Sequence, residues 1–124
     1  MRKLVETVLE DLSTKERFLF RVFCDECGTE YGNKPIRFTK AGTPASTPGK
    51  QVIYTALYEQ EHRDARRLAV SSAAEQMNYC PICNRLVCNR CFLICEELDM
   101  CRHCALELRQ TGQPVMPQLE ETAI

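Results

Sequence analysis

Eight of the nine cysteines in this chain fall into four Cys-x-x-Cys pairs: Cys24/Cys27, Cys80/Cys83, Cys88/Cys91 and Cys101/Cys104. A gap of two residues lets both thiolates of one tight turn reach the same tetrahedral ion at ~2.3 Å, and a second pair from elsewhere closes the site. Four pairs supply the ligands of two four-cysteine sites, for which zinc is the expected ion, so two zinc ions are expected per chain. With four protein ligands on each ion no position is left for water or substrate, and the expected chemistry is structural rather than catalytic.

Two other uses of the cysteines fit less well. An iron–sulfur cluster would need a set spaced for a cluster, and paired knuckles suit zinc better. A disulfide scaffold belongs with secretion. The first residues, MRKLVETVLEDLSTKE, carry scattered charges and no apolar run of signal-peptide length, and no stretch approaches the ~20 apolar residues of a membrane span. Reduced thiols in a cytoplasmic protein with no membrane partner are therefore expected. The ninth cysteine, Cys95, follows Phe92-Leu93-Ile94 and reads as a buried small hydrophobe.

Charge narrows the partners. The formal net charge is −1, and two filled four-thiolate sites would take it to about −5. A nucleic-acid backbone binder normally shows a basic face. Here the basic clusters, Arg63-Asp64-Ala65-Arg66-Arg67 and Asn33-Lys34-Pro35-Ile36-Arg37, are short and read as a solvated helix face and a solvated hairpin. Asp25, Glu26, Glu96, Glu97 and Asp99 lie near the cysteines and read as surface charge and turn formers.

The elements that must position the cysteines follow from periodicity. Leu4, Val5, Val8, Leu9 and Leu12 have helical spacing, so residues 1–15 read as an amphipathic N-terminal helix, which could pack on the rest of the chain or on a second copy. Phe18 to Phe23 is aromatic and β-branched and reads as one strand delivering Cys24, with a return strand within Lys34 to Lys40. Gly28 permits the turn of the first knuckle. Residues 41–49 form a loop. Ile53, Leu57, Ala65, Leu68, Ala69, Ala73 and Met77 then share one face of a long helix over 51–77, started at Thr47-Pro48, although Val52-Ile53-Tyr54-Thr55 could instead be extended. Turns, a small hairpin and a closing helix from about Cys101 to Gln110 fill the dense cysteine segment, and residues 111–124 read as a flexible tail.

Cys80-Pro-Ile-Cys83-Asn-Arg-Leu-Val-Cys88-Asn-Arg-Cys91 resembles the centre of the FYVE class of cross-brace zinc fingers, and Cys24-Asp-Glu-Cys27-Gly-Thr-Glu-Tyr31 is similar to the start of that class. The resemblance implies that alternate pairs share an ion: Cys24, Cys27, Cys88 and Cys91 on one, and Cys80, Cys83, Cys101 and Cys104 on the other. Three features depart from it. The 52 residues between the first two pairs are an unusually long insertion, the residues before Cys80 (EQMNY) lack the basic lipid-binding motif, and neither His62 nor His103 stands where a RING-type finger places its histidine. His103, inside the last knuckle, reads as facing solvent or supporting the site. The pattern is also similar to small bacterial tandem four-cysteine zinc proteins of unassigned function.

The sequence therefore predicts an α+β chain: a small zinc-stabilised domain with a β-hairpin, one long helix and a two-zinc cross-brace or treble-clef-like core. That domain spans 16–110, with the loop and helix of 41–78 inserted. The expected role is a non-enzymatic protein-interaction or adaptor module, with homo-oligomerisation through the N-terminal helix a further expectation. The alternatives are a RING-like ubiquitin-type ligase adaptor, needing exposed apolar residues at Ile82 and Leu86-Val87, and a nucleic-acid-binding module, needing Arg63, Arg66, Arg67, Arg85 and Arg90 on one face.

Overall fold

The computed structural model describes residues 1–116, and the end of the expected tail, 117–124, lies outside the described residues. The chain divides into two compact units. An aromatic unit comprises Arg2–Val22 and Tyr31–Ala73. A cysteine unit comprises Phe23–Glu30 and the chain from Ala74 onward, with Met1 also assigned to it.

The aromatic unit contains α1 (Arg2–Val8), β1 (Glu10–Asp11), β2 (Arg17–Phe18), most of β3 (Phe20–Phe23) and β4 (Glu30–Gly32), β5 (Ile36–Arg37) and most of α2 (Pro48–Gln76). The expected single strand over Phe18 to Phe23 is broken at Leu19. Phe18 pairs with Ile36 of β5, whereas Phe20 pairs with Asp11 of β1 in a sheet of order β1-β3-β4. Asn33 makes the break possible: its Oδ1 accepts from Phe20 N at 2.8 Å, and its Nδ2 donates to Phe18 O at 3.1 Å and Lys34 O at 2.9 Å. Expected as part of a solvated basic hairpin, Asn33 is instead buried with its amide satisfied.

Phe18 and Phe20 are two residues apart, so both side chains enter one core, where Phe38, Ala65 and Ala69 join them. The phenylalanine rings meet their neighbours at tilted or edge-on angles, with Phe18 4.9 Å from Tyr58, Phe38 5.3 Å from Tyr58 and Phe20 5.0 Å from the His62 ring, while Tyr58 and His62 stack at 6.0 Å. α1 is shorter than the helix expected over 1–15 and buries only Val5.

α2 begins where the sequence places it. Thr47 Oγ1 accepts from Lys50 N at 3.1 Å and Pro48 opens the first turn. The helix runs through Val52 to Thr55, so the extended alternative is not adopted. Its buried positions are Ala65, Ala69, Val70 and Ala73, with Leu57 partly buried. Ile53 and Leu68, expected on that face, are exposed. At about 100° per residue Ile53 lies about 120° round from Ala65, and Leu68 falls on the side of Ala69 away from Val70. Met77 is buried as expected, but in a strand.

In the cysteine unit β6 (Met77–Tyr79) and β7 (Leu86–Cys88) form an antiparallel hairpin with Asn78 opposite Val87. β8 (Phe92–Cys95) is the centre of a second sheet, flanked by β9 (Met100–Cys101) and β10 (Gly112–Pro114). The closing helix, α3 (Arg102–Glu107), is shorter than expected, and Arg109 turns out of it at φ 55°. The expected tail over 111–124 starts with structure: Gly112 pairs with Cys95 and Pro114 with Leu93. Pro114 fits because β10 is an edge strand. Gly112 fits because a Cβ there would lie 2.5 Å from Ile94 O.

Candidate metal centres

The first two knuckles repeat one backbone solution. Cys24 N donates to Thr29 O (3.0 Å) while Gly28 N returns to Cys24 O (2.9 Å), and Cys80 N donates to Arg85 O (2.9 Å) while Asn84 N returns to Cys80 O (2.8 Å). Both turns need a left-handed residue directly after the second cysteine, supplied by Gly28 at φ 76° and Asn84 at φ 63°. Glycine adopts this conformation freely and asparagine is among the few others that tolerate it. The third pair closes with Cys91 N on Cys88 O at 2.9 Å. The fourth starts a helix: Cys101 caps α3, its sulfur accepting from Cys104 N at 3.4 Å.

These turns bring the eight paired cysteines into two groups, Cys24/Cys27/Cys88/Cys91 and Cys80/Cys83/Cys101/Cys104, and the sulfurs of each lie within 4.8 Å of one another. First pair joins third, and second joins fourth. All the cysteines are free. The sulfurs of Cys27 and Cys88, of Cys88 and Cys91, and of Cys83 and Cys101 are 3.7 Å apart, and those of Cys80 and Cys104 are 3.9 Å apart. A tetrahedral ion with ~2.3 Å bonds to sulfur has edges of about 3.8 Å, whereas a disulfide needs about 2.05 Å. The separations match the edges of a four-thiolate cage, and each group could hold one metal ion.

Backbone amides point at the buried sulfurs. Cys24 Sγ accepts from Cys88 N at 3.2 Å and from Glu26 N and Cys27 N at 3.4 Å, and Cys80 Sγ accepts from Cys101 N at 3.3 Å. Such donors favour thiolate over thiol. Burial raises the Cys27 thiol, but Thr29 and Cys24 outweigh it and hold the group at about 6. Burial also raises Cys83, and hydrogen bonds from Arg85, Cys80 and Cys104 bring it to about 6. Cys91 is pushed up strongly by burial and by its neighbours Cys27, Cys24 and Cys88, and Cys104 by burial and by Cys101, Cys83 and Cys80. In each group one sulfur favours the anion and another, crowded against the rest, resists it. A divalent cation at the centre removes that conflict.

Two residues read as surface acids belong to this framework. Asp25 Oδ2 accepts from Leu86 N at 2.9 Å, and the half-buried Glu26 pairs with Arg85 at 3.3 Å. A carboxylate two residues from a guanidinium in sequence gives a signal, but one 59 positions away gives none. Asp99 does form a turn, accepting from Cys95 N at 3.1 Å. His103 faces solvent and pairs with Glu107 at 3.1 Å, and His62 pairs with Asp11 at 2.7 Å in the aromatic unit, so neither enters a cysteine group. Cys95 also stays outside both groups. It is only partly buried, because the small β8 sheet covers it incompletely. No described helix is long and apolar enough to cross a membrane.

No family model matches the chain, and no curated protein or solved structure matches it.

Proposed function

We propose that this chain is a non-enzymatic protein-interaction module whose cysteine unit is held by two structural zinc ions in a cross-brace. One observation carries this reading: the eight paired cysteines converge as two complete four-sulfur sets, in alternate order along the chain. Four sulfurs saturate a tetrahedral zinc and leave no place for substrate, so the ions act on the fold. Alternate grouping interlocks the pairs, as in the FYVE-like arrangement, and supports a cross-brace over two sequential fingers. Zinc fits the all-thiolate ligands and the tetrahedral edges.

An interaction role fits the apolar side chains left at the surface. Val52 of α2 is 71% exposed and Leu106 of α3 is 79% exposed, and Leu4 and Val8 of α1 are exposed as well, which keeps self-association through α1 within this reading. The ligase-adaptor alternative loses support because Leu86 and Val87 are buried, leaving only Ile82 of the required patch. The nucleic-acid alternative loses support because Arg85 is engaged by Asp25, Glu26 and Cys101, and Arg90 donates to Thr29 at 2.9 Å.

Native mass spectrometry and zinc-edge X-ray absorption on the purified chain test the metal reading. Two ions per chain with four sulfur neighbours each are expected. One ion, or nitrogen and oxygen neighbours, would overturn it. For the interaction role, Leu4→Glu with Val8→Glu should shift the sedimentation of any self-associated species to the monomer without changing the metal content.

A further inference from the structure

The first knuckle and the turn ending the second are fastened to each other. Asp25 N donates to Leu86 O at 2.9 Å, and Leu86 N donates to Asp25 Oδ2 at 2.9 Å, the carboxylate taking the place of a strand carbonyl. Beside this bridge Arg85 extends its guanidinium in three directions. Nη1 donates to Asp25 O at 3.0 Å, and Nη2 donates to Glu26 Oε1 at 3.3 Å and to Cys101 Sγ at 3.5 Å. Asp25 and Glu26 lie between two ligands of one group, and Cys101 is a ligand of the other. A single side chain thus bonds a sulfur of one group and the two residues between Cys24 and Cys27 of the other. The Arg85 and Glu26 side chains are 32% and 18% exposed, sheltered enough for charge-assisted bonds to count. Arg102, next to Cys101, makes a second link, its N donating to Cys91 O at 2.7 Å and its Nη2 to Cys91 Sγ at 3.7 Å.

We infer that Arg85 is a positioning residue that couples the two centres, so that the chain takes up its two ions as a pair rather than independently. The inference rests on the two-site zinc reading above. An ion bound to Cys80, Cys83, Cys101 and Cys104 fixes the 80–86 turn and the sulfur of Cys101, and so fixes the guanidinium between them. Arg85 and Leu86 then present their donors and acceptor to the Asp25-Glu26 knuckle before the second ion arrives. The same ion also places Cys88 and Cys91, which lie in sequence between Cys83 and Cys101 and are carried by β7 and the turn before β8. Ordering already done for the first ion is not repeated for the second, which is positive cooperativity. By linkage the ion at the other centre helps this one by the same factor. Lysine cannot replace this group, because a single ammonium lacks the rigid fork that reaches three acceptors at once.

Zinc titration of the reduced, metal-free full-length chain, followed by native mass spectrometry, tests the coupling. At half saturation the one-ion species of the wild type should fall well below the half that independent, equal sites would give. In Arg85→Ala and Arg85→Lys the one-ion species should accumulate, with the weaker site losing about 10–100-fold in affinity. Glu26→Gln, which removes one charged partner and leaves the backbone bridge, should lie between them and guards against a misfolded Arg85 variant. Cobalt(II) gives a readout that a packing role would not move. Losing the Arg85 N–H from the Cys101 sulfur should shift the thiolate-to-cobalt charge-transfer band in Arg85→Lys. A one-ion fraction at or above the independent-site value in the wild type, or titrations and spectra of Arg85→Lys and Glu26→Gln that match it, would overturn the inference. Uptake of fewer than two ions by the wild type would instead overturn the two-site reading beneath it.

Discussion

Paired cysteine-to-serine substitutions separate the alternate grouping from a sequential one. Sulfur edges of 3.7 Å place a central ion about 2.3 Å from each sulfur, the ordinary length of a zinc–thiolate bond. Structural four-thiolate sites bind with about 10–16 kcal/mol. If that is shared evenly, losing one sulfur costs about 2.5–4 kcal/mol, or roughly 60- to 700-fold in affinity at ~1.4 kcal/mol per factor of ten. By the coupling inferred above, an intact site is itself weakened about 10–100-fold when its neighbour is empty, so a metal buffer set between that affinity and the damaged site's strips the damaged site and leaves the intact one filled. Cys24→Ser or Cys88→Ser alone should retain one ion. Because these residues belong to one group, the double substitution Cys24→Ser with Cys88→Ser should still retain one. Cys83→Ser with Cys88→Ser damages both groups and should retain none. Bound metal counted by mass spectrometry reads the result directly. If Cys24→Ser with Cys80→Ser retained one ion while Cys24→Ser with Cys88→Ser retained none, the pairs would be sequential and the cross-brace reading would be wrong.

Three further outcomes are expected. Chelation should abolish hydrogen-exchange protection in β6, β7 and α3 while the aromatic core around Phe18, Phe20 and Phe38, which contains no cysteine, keeps its protection; equal loss in both would contradict it. Asn33→Ala should cost about 2–4 kcal/mol in urea unfolding, since it removes three hydrogen bonds and leaves the Phe20 amide buried without a partner, and a cost under ~0.5 kcal/mol would count against the Asn33 bridge. Burial pushes the Asp11 carboxyl up, but bonds from Ser13 and the His62 ring more than offset it, so Asp11 should titrate below its ordinary 3.8 by NMR and move upward in His62→Ala. Because that folded value is depressed, the pair's small contribution is present above the unfolded value and is lost as pH falls through the folded one.

The sequence made the cysteine pairs legible because their spacing is short and local: each Cys-x-x-Cys pair and the left-handed residue after Cys27 can be read within six positions. The start of α2 was legible for the same reason, since Thr47 and Pro48 act within one turn. What failed to show was set by contacts across the chain. Nothing near Asn33 announces that its amide would bridge Phe18 and Phe20, and nothing near Glu26 announces Arg85. The exposure of Ile53 and Leu68 follows from their angular distance from the Ala65-Ala69-Ala73 stripe, but which stripe of α2 would be buried depends on what packs against it. β10 was missed because Gly112 and Pro114 are turn residues by composition, and only pairing with β8 makes them a strand.

The two units solve the problem of burial differently, and this is why a metal ion would matter to only one of them. Around the aromatic core, rings and alanines meet, and the polar groups beside them are bonded, Asn33 to Phe18 and Phe20, Tyr58 to Thr14 and His62 to Asp11. In the cysteine unit the buried residues among those described include Cys24, Cys80, Cys88, Cys91, Cys101 and Cys104, beside only Met77, Leu86, Val87, Met100 and Ala105. Sulfurs that point at one another from four directions are a poor core by themselves, because they do not interlock as branched apolar side chains do. As anions they repel, and as thiols they give up the amide bonds aimed at Cys24 and Cys80 much of their strength. An ion at the centre of each group would turn the same sulfurs into a fixed tetrahedron, and the strands and short helix around it would need to supply little apolar area of their own. With an ion in each group the eight cysteines, six of them buried, would form the centre of this unit, and few aliphatic residues would be needed to hold it together.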